Sequence, residues 1–134
     1  MTKRFFAVLL PSLLAVTAAF AVTGDDLLGG LPPPPSSQVL ATKDVGAGGQ
    51  LVHYMSSANP IAVIESYAQV LPNSGWTVTS SGGGESAHGG NADLQATNGA
   101  RYLSINAGGP VGTTYVSVCV WPSKPDRDHC SIDN

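Results

Sequence analysis

Four small sets of residues in this 134-residue chain carry side chains able to do chemistry. His53 and Met55 stand two apart, which on a strand puts both on one face, and an imidazole beside a thioether is a copper-binding combination. Glu85 and His88 lie three apart in the glycine-rich stretch 80–91, where a carboxylate and an imidazole held in fixed geometry would transfer a proton. Tyr102, Tyr115 and Trp121 are rings that stack on sugars or anchor a peptide when they share an exposed sheet face. Cys119 and Cys130 are the only cysteines.

Each set also has a plainer reading. His53 and Met55 serve equally as ordinary strand residues, with Met filling a gap. Proton transfer needs rigidity, and a segment with Gly82-Gly83-Gly84 and Gly89-Gly90 offers none by composition, so 80–91 reads as a mobile loop. No serine stands in a Gly-x-Ser-x-Gly elbow, no Ser-x-x-Lys occurs, and the glycine clusters do not form a phosphate or dinucleotide loop. Asp126, Asp128 and Asp133 form at most a weak cation site, and a solvated tail is the stronger reading. Two cysteines 11 positions apart favour one disulfide in an oxidising compartment. Adding His129 gives three ligands, with His129 and Cys130 adjacent and awkward for one ion, whereas zinc wants four regularly spaced ligands.

The elements that position these residues follow from periodicity. Runs at 39–45 and 51–55 flank Gly46-Ala47-Gly48-Gly49 and predict a hairpin. Asn59-Pro60 is a cap followed by proline at the first helical position. Ile61, Ile64, Ala68 and Leu71, with Tyr67 beside them, make an apolar stripe that ends before Pro72 and Asn73-Ser74-Gly75. Residues 76–79 read as a strand. Asn98-Gly99 predicts a tight hairpin turn between 92–97 and 100–107, with Thr97 opposite Ala100, Leu94 opposite Leu103 and Ala92 opposite Ile105. The last strand alternates Val116, Val118 and Val120, expected to face the helix, with Tyr115, Ser117, Cys119 and Trp121. The expected fold is α+β: an antiparallel sheet of five to six strands with one amphipathic helix on one face, in the order β-β-α-β-β-β-β.

Lys3 and Arg4 precede an apolar run over 5–22 that closes on Ala19-Phe20-Ala21, the pattern of a secretory signal cleaved after Ala21. An uncleaved membrane anchor is the alternative, since the run is just long enough to span a bilayer. The expected division is a signal peptide at 1–21, a Pro/Gly-rich linker at 22–37 and one domain at 38–134. Pro32 to Pro35 read as a stiff polyproline spacer. Without residues 1–21, four Lys+Arg face nine Asp+Glu, a formal charge of −5. Charged residues make up 11% of the chain, against about 25% in globular domains generally, and no basic field exists to draw nucleic acid.

The run 54–76, a capped helix carrying Tyr67 and ending in Leu71-x-x-x-Gly75-Trp76, followed by hairpins to Val120, resembles small exported bacterial domains of uncharacterised function over residues 38–121. The resemblance implies a secreted or periplasmic domain and carries over no catalytic residue and no cofactor. The expectation is an exported, non-catalytic domain binding a protein or polymer partner, with the Tyr102, Tyr115 and Trp121 face as the binding surface unless the tail covers it. The alternative is a small-ligand or copper carrier using His53, Met55 and His88. A hydrolase built on Glu85 and His88 is weaker still.

Overall fold

A computed structural model describes residues 28–133; the expected signal segment lies outside the described residues. The strands are β1 (Ser37–Asp44), β2 (Gln50–Ser56), β3 (Thr77–Ser86), β4 (Gly89–Asn98), β5 (Arg101–Pro110) and β6 (Thr114–Trp121). They form one antiparallel sheet in the order β1-β2-β6-β5-β4-β3. Helix α1 (Pro60–Val70) packs on one face, giving the expected α+β architecture and element order.

The helix begins as its sequence dictates: the Asn59 side chain accepts from the Ala62 amide at 2.7 Å, and Pro60 occupies the first turn. It passes into a 3₁₀ turn, Leu71–Ser74, and stops at Gly75, whose φ of 88° is left-handed. The buried stripe is centred on Val63, Ile64, Tyr67 and Leu71, with Ile61 and Ala68 on its margins. Val63 was absent from the expected stripe because a count of i+3 and i+7 steps from Ile61 misses the residue one step round the helix. Beneath it lie Leu94, Leu103, Ile105, Val116, Val118 and Val120, so the valines of β6 do face the helix.

Three expectations are corrected, two of them in the sheet. The stretch 80–91 is not a mobile loop: β3 and β4 pair continuously from Ser80 with Gln95 to Ser86 with Gly89. Its side chains bury little, yet the backbone groups that face β4 have ladder partners, because β4 is already anchored on β5. Gly83 belongs there for space, since a Cβ would meet Ala92 Cβ at 2.6 Å and Asn91 O at 2.7 Å. The β4–β5 register is also two residues away from the expected one. Asn98 pairs with Arg101, Leu94 with Ile105 and Ala92 with Ala107. The turn centres are therefore Gly99 and Ala100, and only Gly99 has positive φ, at 62°, the sign pattern of a type II′ turn. A two-residue slip leaves every side chain on its expected face.

The proline run is not a spacer held off the domain. Pro34 is buried, Tyr67 Oη donates to Pro32 O at 2.8 Å and Ser56 Oγ to Pro35 O at 2.6 Å. Leu28 and Leu31 pack against the main core. The packed unit thus includes part of the stretch read as linker, because carbonyls of a polyproline segment are unpaired and available as acceptors. Both edge strands, β1 and β3, carry a register irregularity, at Leu40 and Thr79 respectively, which disrupts pairing with another chain.

Candidate functional site

The helix-free face of the sheet is divided by the C-terminal tail. Cys119 on β6 is bonded to Cys130, with Cα atoms 5.8 Å apart, as expected. Tyr102 Oη donates to Asp128 Oδ2 at 2.8 Å, Asn106 Nδ2 to Cys130 O at 2.9 Å, and Lys43 Nζ to Ile132 O at 3.0 Å. The tail therefore crosses from β5 over β6 to β1. Under it, Tyr102, Trp121, Leu51 and the disulfide form a second small core. Of the three aromatic residues placed on this face, Tyr102 and Trp121 are covered at 6% and 1% exposure, while Tyr115 stays 43% exposed.

Beyond the tail the face opens into a cleft of ≈ 400 Å³. Its floor is a single cross-strand row in which Asp93 is opposite Asn106, Asn106 opposite Ser117, and Ser117 opposite His53. At roughly 4.8 Å between strands the row spans about 14 Å. The next row is Asn91, Gly108, Tyr115 and Met55. His53 Nδ1 lies 3.1 Å from Ser117 Oγ, and its ring stacks on Tyr115 with centroids 5.9 Å apart and planes 3° from parallel. Burial lowers the His53 pKa below 6.5, an effect partly opposed by the Asp133 carboxylate. A neutral imidazole at neutral pH is the result. His129 and Ile132 of the tail form the cleft wall.

The expected site residues thus separate. His53 and Met55 share the face with Tyr115, whereas His88 lies at the β3–β4 turn, beside a different cleft with Glu85 and Pro110. Three strand spacings and several residues along the strands divide His53 from His88, so the two cannot ligate one ion. Among the described residues no group of three or more His, Cys, Asp and Glu side chains is placed to hold a metal ion. Glu85 and His88 are both exposed on the hairpin tip, where the His88 amide donates to Ser86 Oγ at 3.2 Å. Nothing there shields a proton transfer from water.

Asp93, Asn106, Gly108 and Ser117 are the cleft residues that sequence reasoning missed. The signal was present in the alternation of β5, which sends Tyr102, Ser104 and Asn106 to this face. The two-residue register difference hid the row, because it would place Asp93 beside Ser104 in place of Asn106.

Compared with known proteins, the chain matches no family model, no curated protein and no solved structure. No helix among the described residues is long and apolar enough to cross a membrane.

Proposed function

We propose that this is an exported, non-catalytic binding domain whose protein or polymer partner docks on the helix-free face of the sheet, at the end the tail leaves open. The observation that carries the reading is the contrast along that face: Tyr102 and Trp121 are covered by a bonded tail, while Tyr115 remains exposed beside a polar floor. A large aromatic side chain left exposed next to hydrogen-bonding side chains is a common anatomy of a recognition surface. Export is supported by the signal pattern of residues 1–21 and by a disulfide, which persists in oxidising compartments. The reading gives the cleft a binding role and no reaction. The Ser117–His53 contact is made inside a regular strand pair, with both backbones committed to the ladder.

The test has two arms. Intact mass of the protein from the extracytoplasmic fraction should begin at Val22 and be two hydrogens below the dithiol form; an uncleaved mass with free thiols overturns export. Hydrogen exchange in the presence of cell-envelope material should show new protection at 91–93, 106–108 and 115–117. Protection on β1 or the β3–β4 hairpin alone, or none, overturns the assignment of the face.

A further inference from the structure

Resting on the reading that the helix-free face is the binding face, the geometry points to a neutral sugar ring as its ligand, seated over Gly108 against Tyr115. In the row Asn91, Gly108, Tyr115 and Met55 the second position has no side chain. A notch one side chain deep therefore opens on β5 directly beside the exposed Tyr115, which on its other side has Met55 in the same row and the stacked His53 diagonal to it.

Crowding does not explain the glycine. Gly108 lies outside the left-handed region, and a Cβ built on it would make ordinary contacts, 3.4 Å to Gly90 O and 3.5 Å to Asn91 Cβ. Its neighbour Gly109, by contrast, has φ of 157° and no room for a Cβ against Thr113. At 108 the fold would accept a side chain, and what the missing one provides is space in the cleft.

The chemistry around the notch selects among ligands. Asn91, Asp93 and Asn106 border it with two amides and a carboxylate, groups that pair with adjacent hydroxyls as donors and acceptors. None of the cleft's lining side chains is Lys or Arg, and an anionic ligand would meet the Asp93 carboxylate on the floor. A wholly apolar ligand would cover Asp93 and Asn106 and leave them without water. A pyranose satisfies both halves: its C–H face lies on an aromatic ring and its equatorial hydroxyls reach the polar border. The volume of ≈ 400 Å³ sits at the small end of ligand clefts, and its open shape suits one unit of a longer neutral chain.

The experiment is an amide NMR titration of the full disulfide-bonded chain with cellotriose, maltotriose and N,N′,N″-triacetylchitotriose, each to about 10 mM, and in parallel with a pool of short peptides. The expected result is saturable shifts at Gly108, Tyr115 and Asn106 with at least one sugar. Gly108→Val, which fills the notch, and Tyr115→Ala, which removes the wall, should each weaken binding by about tenfold or more with the thermal midpoint of Gly108→Val unchanged. Absence of shifts with all three sugars overturns the inference, as do shifts that persist unweakened in both variants. Peptides that move these resonances where sugars do not overturn the sugar and leave the face reading standing. If neither ligand class touches this face, both readings fall.

Discussion

Tyr102 on β5 donates a 2.8 Å hydrogen bond to Asp128 Oδ2, so a tail residue 26 positions further along closes over the sheet. The phenol is pushed up to about 12 by burial first, then by the bond to Asp128 and by its charge. Lys124 Nζ stands 5.6 Å from the centre of the same ring and adds a second tail contact.

Removing the hydroxyl tests this clasp. Tyr102→Phe should lower unfolding free energy by about 1–2 kcal/mol, the range for a partly exposed hydrogen bond to a carboxylate. Its pH dependence is fixed in sign. The folded pKa lies above the ordinary value of 10.0, so the contribution is complete below pH 10.0 and is lost as pH rises toward about 12. Urea melts at about pH 8 and about pH 11 should show a smaller alkaline loss in the variant than in the parent. Part of the loss remains, because burial also raises the Tyr54 and Tyr67 phenols.

The disulfide is the second clasp, closing a loop across 11 positions. The chain-entropy relation gives slightly under about 3 kcal/mol for a loop of this length. Cys119→Ser with Cys130→Ser should cost about that much, since both positions are buried and the new hydroxyls add no benefit. Chemical denaturation measures the loss, and limited proteolysis with trypsin should find new cleavage in the tail after Arg127. A loss under about 1 kcal/mol would show that the tail is held by Asp128 and the Cys130 carbonyl without the covalent bond.

Gly49 ends the β1–β2 connection against the indole of Trp121. A Cβ there would overlap Trp121 Cδ1 and Nε1 and come within 2.9 Å of Val45 Cγ2. The indole is 1% exposed and cannot swing aside without opening the tail core. Gly49→Ala should therefore destabilise by about 1–3 kcal/mol, as overpacking does, and shift the near-ultraviolet tryptophan signal. Gly84→Ala should leave that signal unchanged, because nothing lies within 4 Å of its Cβ and its backbone is outside the left-handed region.

The fold was legible wherever a local rule acted alone. The Asn59 cap, the alternation of Val116, Val118 and Val120, and the pairing of Cys119 with Cys130 depend on neighbours in sequence or on compartment, and each is realised. Errors arose where a partner strand decides. Ser80 to Ser86 have nothing to bury, yet β4 pairs along one side of their backbone and holds them as a strand. Pro32 and Pro35 look like spacer, yet Tyr67 and Ser56 reach their carbonyls across 35 and 21 positions. The candidate cleft was hidden for the same reason, because Asp93, Asn106, Ser117 and His53 meet only through three strand registers, none of which composition reveals.

His53 joins the cleft floor to the Tyr115 wall, and its protonation should report on both. Burial holds its imidazole below 6.5, with Asp133 pulling the other way. The unfolded chain thus binds this proton more readily, so the contribution of His53 to stability is present above 6.5 and is lost as pH falls through the lower folded value. An NMR titration of the ring protons should place its midpoint below 6.5, and Asp133→Asn should move it further down. Ring-current shifts of Tyr115 should follow the same curve, because the two planes are parallel at a 5.9 Å centroid distance. A midpoint at or above the ordinary value would mean that the tail stands away from His53 in solution and that the cleft wall is open. Agreement of both curves would establish that the imidazole is neutral where a ligand meets it, leaving Asp93 as the cleft floor's only formal charge near neutral pH.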